Sequence, residues 1–373
     1  MEIKEEIAEI KEEIVEIDKI KEIGKIKEIG KIKEIEKMEQ EQNEKLIEEI
    51  KEEPTKKLSG NLNYNTPWIL QRADPYVYRH SDGWYYFTAS VPAYDGIVLR
   101  RAKSLEELPD AQETEIWHKH PSGNMSEHIW APELHYLDRK WYLYYAAGDK
   151  EDVWAIRPYV LECCDENPIT GTWTEMGMMQ CADDDEFSFR GFSLDATVFE
   201  NRGRYFYVWA EKVGVGKQIS NLYIAELESP YRLKTVQILL TTPDYAWERV
   251  GFWVNEGPAV IKRDGRIFLT YSASETGAAY CMGMLSADSD SDLLDPLSWK
   301  KERMPVLTSE ETLGIYGPGH NSFTTDSQGN DIMVYHGRTE KEITGDPLYN
   351  PNRHAMLMKV KWNEAGSPVF RIE

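Results

Sequence analysis

The chain has 373 residues, 43 basic and 65 acidic, for a net charge of −22. So acidic a molecule repels phosphate backbones and anionic lipid, which excludes nucleic acid and membrane as natural partners. All 43 aromatic residues lie after residue 60, so only the longer part of the chain can build a large core.

In chain order, the first element is a charged head. Residues 1–60 carry 13 Lys and 19 Asp or Glu and no aromatic residue. Met1-Glu2-Ile3-Lys4 lacks the basic and apolar regions of a secretory leader, so the expected location is the cytoplasm, the alternative being a secreted protein whose signal has been removed. Ile3, Ile7, Ile10, Ile14 and Ile17 alternate steps of four and three, the spacing of a coiled-coil seam, and residues 1–53 read as helix. From Ile17 to Met38 every step is three. That spacing winds the apolar line around the helix instead of keeping one face. Two readings stand: a helix through which chains form a homo-oligomer, and a solvated low-complexity extension or fusion. Pro54 to Gly60 reads as a linker, which divides the chain into a charged extension, 1–60, and a body, 61–373. Cys163, Cys164, Cys181 and Cys281 show neither metal-ligand spacing nor a disulfide framework.

The body is a series of short aromatic and β-branched runs separated by turn residues, an all-β pattern. Five segments repeat one layout, a strand, a turn and a second aromatic strand. They begin near Asp74, Ala131, Asp195, Glu256 and His320, with turns at Asp82-Gly83, Asp138-Arg139, Arg202-Gly203, Asp264-Gly265 and Gln328-Gly329. A near-constant period of about 60 residues, each unit holding several strands, predicts a five-bladed β-propeller; a two-sheet sandwich would lack the period. Aligned on the turns, Asp74, Ala131, Asp195, Glu256 and His320 fall in register on the strands that line the central channel. Glu133, two residues beyond Ala131, should share its strand face. Carboxyl groups gathered on one axis shift one another's pKa, the mark of a catalytic site.

At these residues the chain resembles glycoside hydrolase family 43. The motifs are Arg72-Ala73-Asp74-Pro75, Trp130-Ala131-Pro132-Glu133, Ser193-Leu194-Asp195-Ala196-Thr197, Asn255-Glu256-Gly257-Pro258 and Gly319-His320-Asn321-Ser322. The resemblance runs over roughly 65–373. It implies a five-bladed propeller that hydrolyses arabinosides or xylosides with inversion. It further implies Asp74 as general base, Glu256 as general acid and Asp195 as the residue that orients the acid and raises its pKa. His320 resembles a channel histidine that in some members binds a calcium ion or an ordered water, and no cofactor is otherwise implied. Arg338 resembles an arginine that contacts sugar hydroxyls; Trp130, Phe192 and Trp253 are candidates for the pocket wall, beside Glu133. The stretch from Ala73 to Ser90 is similar to exo-acting α-L-arabinofuranosidases of the family, so the expected substrate is an arabinose-containing oligosaccharide or polysaccharide. A β-xylosidase and, from a different class, a sugar-binding propeller without catalysis are the alternatives.

Overall fold

The structure, a computed structural model, describes residues 62–214 and 217–373. The expected helix over 1–53 and the extension 1–60 lie outside these residues. The body is an all-β propeller of five blades. Blade one consists of Ala73–Arg79, Tyr85–Ser90, Gly96–Ala102 and Thr114–His118, and blade two of Asn124–Leu137, Lys140–Asp149, Arg157–Cys163 and Trp173–Met178. Blade three runs Ser193–Asn201, Arg204–Val213 and Ile219–Ser229, with Arg232–Leu233 and Ile238–Thr241 both paired to the third strand. Blade four consists of Asn255–Arg263, Arg266–Ala273, Cys281–Asp288 and Lys300–Lys301. In blade five, Tyr316–Thr325, Asp331–Arg338 and His354–Lys359 are completed by Pro67–Ile69 from the other end of the body. Pairing the earliest strand with the last blade closes the ring and leaves no open seam. Among the described residues no helix is long and apolar enough to cross a membrane.

The aromatic load is spent between blades. Five apolar clusters each fill the gap between neighbours, among them Tyr86, Trp141 and Tyr145 between blades one and two, and Tyr144, Tyr207 and Trp209 between two and three. Val77, Phe87, Val334 and Leu357 close the ring between blades five and one. Burial of each such side chain contributes about 1.5–3 kcal/mol.

The first strand of every blade carries a β-bulge at the same place. Its bulged residues are Asp74–Pro75, Ala131–Pro132, Asp195–Ala196, Gly257–Pro258 and His320–Asn321. The leading residue of each has positive φ: 52° at Asp74, 47° at Ala131, 51° at Asp195, 55° at Gly257 and 40° at His320. Such a bulge re-aims a side chain out of the pleat, at about 1–2 kcal/mol for a residue with a Cβ. The structure therefore corrects the sequence register. In blade four the bulge falls on Gly257, and Glu256 stands one residue ahead, level with Ala73, Trp130, Leu194 and Gly319. The physical reason is local: a Cβ at 257 would meet His320 Cγ at 3.0 Å, so that position takes glycine and the carboxyl moves back by one.

Candidate functional site

One cavity of about 670 Å³ opens over the inner strands. Asp74, Asp195, Glu256 and His320 line it, and so do the expected wall residues Trp130, Phe192 and Trp253. The bulges explain how: the turn at each positive φ lifts Asp74, Asp195 and His320 out of their sheets toward a common centre.

His320 binds the acidic groups together. Its Nδ1 lies 3.1 Å from Asp74 Oδ1 and 3.7 Å from Asp195 Oδ2. Its backbone N–H donates to Ser272 Oγ at 2.6 Å, which fixes the ring's origin. Burial acts to lower the His320 pKa, but the charges of Asp195 and Asp74 outweigh it and push it up to about 10. At neutral pH the ring is an imidazolium. It has no free lone pair, and its Nδ1 proton is directed at carboxylates. Calcium takes several oxygen ligands, and the carboxylates of Asp74 and Asp195 are the oxygen groups that flank His320 Nδ1. Among the described residues no cluster of three or more His, Cys, Asp or Glu side chains is arranged to hold a metal.

The carboxyls differ sharply in proton affinity. Burial acts to raise Asp74, yet the charge and hydrogen bond of His320, with His336 and Arg353 behind, hold it well below the usual range. Ser90 Oγ also donates to Asp74 Oδ2 at 2.6 Å. Glu256 is raised, chiefly by burial and further by the charge of Asp74; the Tyr280 hydroxyl, His320 and Lys212 oppose this without overcoming it. Asp195 is raised too, by burial first and then by Glu256 and Asp74, against His320. Its Oδ2 accepts the N–H of Gly257 at 3.2 Å, which ties it to the backbone beside Glu256. One carboxyl held low thus shares a cavity with two that are pushed up. The raised Glu256 owes most to burial, and the acidic neighbour that adds to it is Asp74, where Asp195 was expected.

Two expected residues are elsewhere. Glu133 does not line the cavity; it is buried, and His135 Nε2 lies 2.9 Å from its Oε2. The bulge at Ala131–Pro132 breaks the two-residue alternation that would have put Glu133 beside Ala131. Arg338 does not line the cavity either. Its guanidinium is buried and donates to Asn350 Oδ1, Asn352 O, Thr276 O and Pro347 O at 2.7–3.1 Å, so it pins a loop. The arginine in the cavity is Arg353, whose Nη1 is 3.9 Å from Asp74 Oδ1 and whose Nη2 donates to the Tyr94 hydroxyl.

Tyr94, Trp154, Lys212, Tyr280 and Arg353 line the cavity without sequence warning. None lies in the five inner-strand motifs. Only exposure could have hinted at Trp154, half exposed at 51% and stacked on Phe192, and exposure is not written in a sequence.

Comparison with known proteins agrees with this geometry. A family model described as "Glycosyl hydrolases family 43" matches residues 64–368. The chain is similar to the "Extracellular exo-alpha-(1->5)-L-arabinofuranosidase" of Streptomyces avermitilis, with 50% identity over 315 residues, 84% of this chain. It spans only 64% of that relative's length. A protein of the same name from Streptomyces chartreusis is 50% identical over 285 residues, 76% of this chain and 85% of its own. Among solved structures, "alpha-L-arabinofuranosidase from Lactobacillus brevis" superposes with a TM-score of 0.78 at 50% identity, covering 83% of this chain and 96% of that one.

Proposed function

The chain belongs to glycosyl hydrolases family 43, and on that premise we propose that it releases terminal α-L-arabinofuranosyl units from arabinan or arabino-oligosaccharides, with inversion. The observation that carries this reading is the split in proton affinity between Asp74 and Glu256, both buried in one cavity. Inverting hydrolysis needs one carboxylate to take a proton from water and one carboxylic acid to give a proton to the departing oxygen, about 6.5–9.5 Å apart. Asp74, held ionised by His320, is the base. Glu256, whose hold on its proton burial strengthens, is the acid. Asp195 positions the acid through the Gly257 N–H.

In the step, Asp74 accepts a proton from water, and the water oxygen bonds to the anomeric carbon. The C–O bond to the leaving sugar breaks as Glu256 gives that oxygen its proton. Trp130, Phe192 and Trp253 give the sugar apolar walls, and Arg353 offers donors beside Asp74.

The arabinoside preference is supported by the names of the relatives at 50% identity. Two of those names read extracellular, which weighs against a cytoplasmic location. The test is direct. Turnover of 4-nitrophenyl α-L-arabinofuranoside should far exceed that of 4-nitrophenyl β-D-xylopyranoside. Proton NMR of the first product from an arabino-oligosaccharide should show the inverted anomer. Preference for the xyloside, or a retained anomer, overturns the reading.

A further inference from the structure

The first-strand position just before each bulge is occupied by Ala73, Trp130, Leu194, Glu256 and Gly319. Of these five only Glu256 is ionisable, and only Gly319 has no side chain. The two facts meet in one residue. A Cβ at Gly319 would lie 2.5 Å from Tyr280 Cε1, so the missing side chain is the space that the Tyr280 ring fills. The same ring stacks on His336, with centroids 5.5 Å apart and planes 12° from parallel. Tyr280 comes from blade four, between Arg266–Ala273 and Cys281–Asp288, yet its ring is gripped by two residues of blade five. It is 2% exposed. From this slot its hydroxyl donates to Glu256 Oε1 at 2.8 Å.

A protonated carboxyl has one hydroxyl oxygen and one carbonyl oxygen, and only the carbonyl oxygen accepts a hydrogen bond well. A fixed donor on Oε1 therefore decides which oxygen keeps the proton. We propose that Tyr280 is the positioning residue of the acid: its hydroxyl holds Oε1 as the acceptor oxygen and so leaves the transferable proton on Oε2. This rests on the reading of Glu256 as the acid. When Glu256 Oε2 gives its proton to the leaving oxygen, negative charge appears on the carboxylate, and the Tyr280 bond to Oε1 becomes charge-assisted and stronger. The aid grows as the reaction proceeds, which is the requirement for lowering a barrier. Tyr280 stays a donor throughout: burial and the charges of Glu256, Asp195 and Asp74 raise its own pKa well above that of free tyrosine. The other charged groups acting on Glu256 are Asp74 from blade one, Asp195 and Lys212 from blade three, and His320 from blade five. Among the described residues Tyr280 is the side chain that donates a hydrogen bond to this carboxyl.

Tyr280→Phe keeps the ring in its slot and removes the donor. Loss of a hydrogen bond to a charged group should lower kcat/KM for a 1,5-linked arabino-oligosaccharide by about 10- to 100-fold. A 4-nitrophenyl leaving group departs without a proton, so the aryl arabinofuranoside should lose less than about threefold. The alkaline limb of the oligosaccharide pH profile should move up, because Glu256 loses a group that stabilises its carboxylate. Gly319→Ala, which drives a methyl group into the ring, should produce the same leaving-group-selective loss with the hydroxyl still present. Equal losses on both substrates with an unmoved limb, or no loss on either, overturn the proposal. Failure of the wild-type protein to cleave arabinosides would instead count against the functional reading, and is read before any variant is made.

Discussion

His320 Nδ1 lies 3.1 Å from Asp74 Oδ1, a cation against the carboxylate that shares a cavity with Glu256. Buried acids close to one another resist ionising together. His320 sits nearest to Asp74 and pulls that carboxyl down furthest, while burial outweighs its pull on Glu256 and leaves Glu256 raised.

Replacing that cation should move the acidic limb of activity. In His320→Gln, Asp74 loses its largest favourable charge, and its pKa should rise by about 1–3 units. Because the base must be ionised, kcat/KM should start to fall at a correspondingly higher pH. A pH profile of the two proteins decides the matter, and superimposable acidic limbs would refute the assignment.

The same pair makes stability depend on pH. The folded His320 pKa of about 10 stands above the ordinary 6.5, so its contribution is full below pH 6.5 and is lost as pH climbs from there to about 10. Asp74 has the opposite sign: its depressed pKa stabilises above the ordinary carboxylate value and is lost as pH falls below it. Wild-type Tm should therefore decline across pH 6.5–10 more steeply than that of His320→Gln, as calorimetry at stepped pH would record.

Glu256→Gln should lower turnover of an oligosaccharide by about 10²–10⁴-fold, the usual contribution of a positioned acid. Binding of arabinose, followed by titration calorimetry, should remain within a few-fold of wild type. An oligosaccharide rate close to wild type would remove Glu256 from its role.

Gly257→Ala should damage the site through His320. The new methyl would stand 3.0 Å from the ring, on a backbone with φ of 55°. The positive φ alone costs about 1–2 kcal/mol. The expected signature is a fall in kcat together with an acidic limb shifted as in His320→Gln; lost stability with an unmoved limb would mean that the ring had not been displaced.

Arg338→Ala should act on stability before chemistry. Four carbonyl-type acceptors lose their donor, for an expected loss of about 2–4 kcal/mol in urea denaturation. Arg353→Ala should instead raise KM, since that guanidinium borders the cavity. A variant Arg338 protein with normal stability and a large KM defect would restore the sugar-contacting role.

Much of this was legible in the residues. The period of about 60 predicts five blades because each blade must repeat the same strand, turn and aromatic strand to bury its faces. Asp74, Asp195 and His320 are brought together as that register requires. Glu256 enters the cavity too, but from one position ahead. Alignment on the hairpin turns counts residues outward from the turn and cannot see where a bulge falls; Gly257 was the one signal. Glu133 was misplaced by the same omission, since a bulge inverts the alternation beyond it. Arg338 and Arg353 could not be told apart, because the loop carbonyls that claim one and the carboxylate beside the other are set by tertiary contact.

The ring is closed by Pro67–Ile69 lying against His354–Lys359. Asp74 follows directly after that first strand, and three groups that govern its charge, His320, His336 and Arg353, all arrive with the final blade. The junction that completes the architecture therefore lies in the same blade as the groups that hold the Asp74 carboxyl low, so a weakened Pro67–Ile69 pairing should disturb that carboxyl as well as the fold.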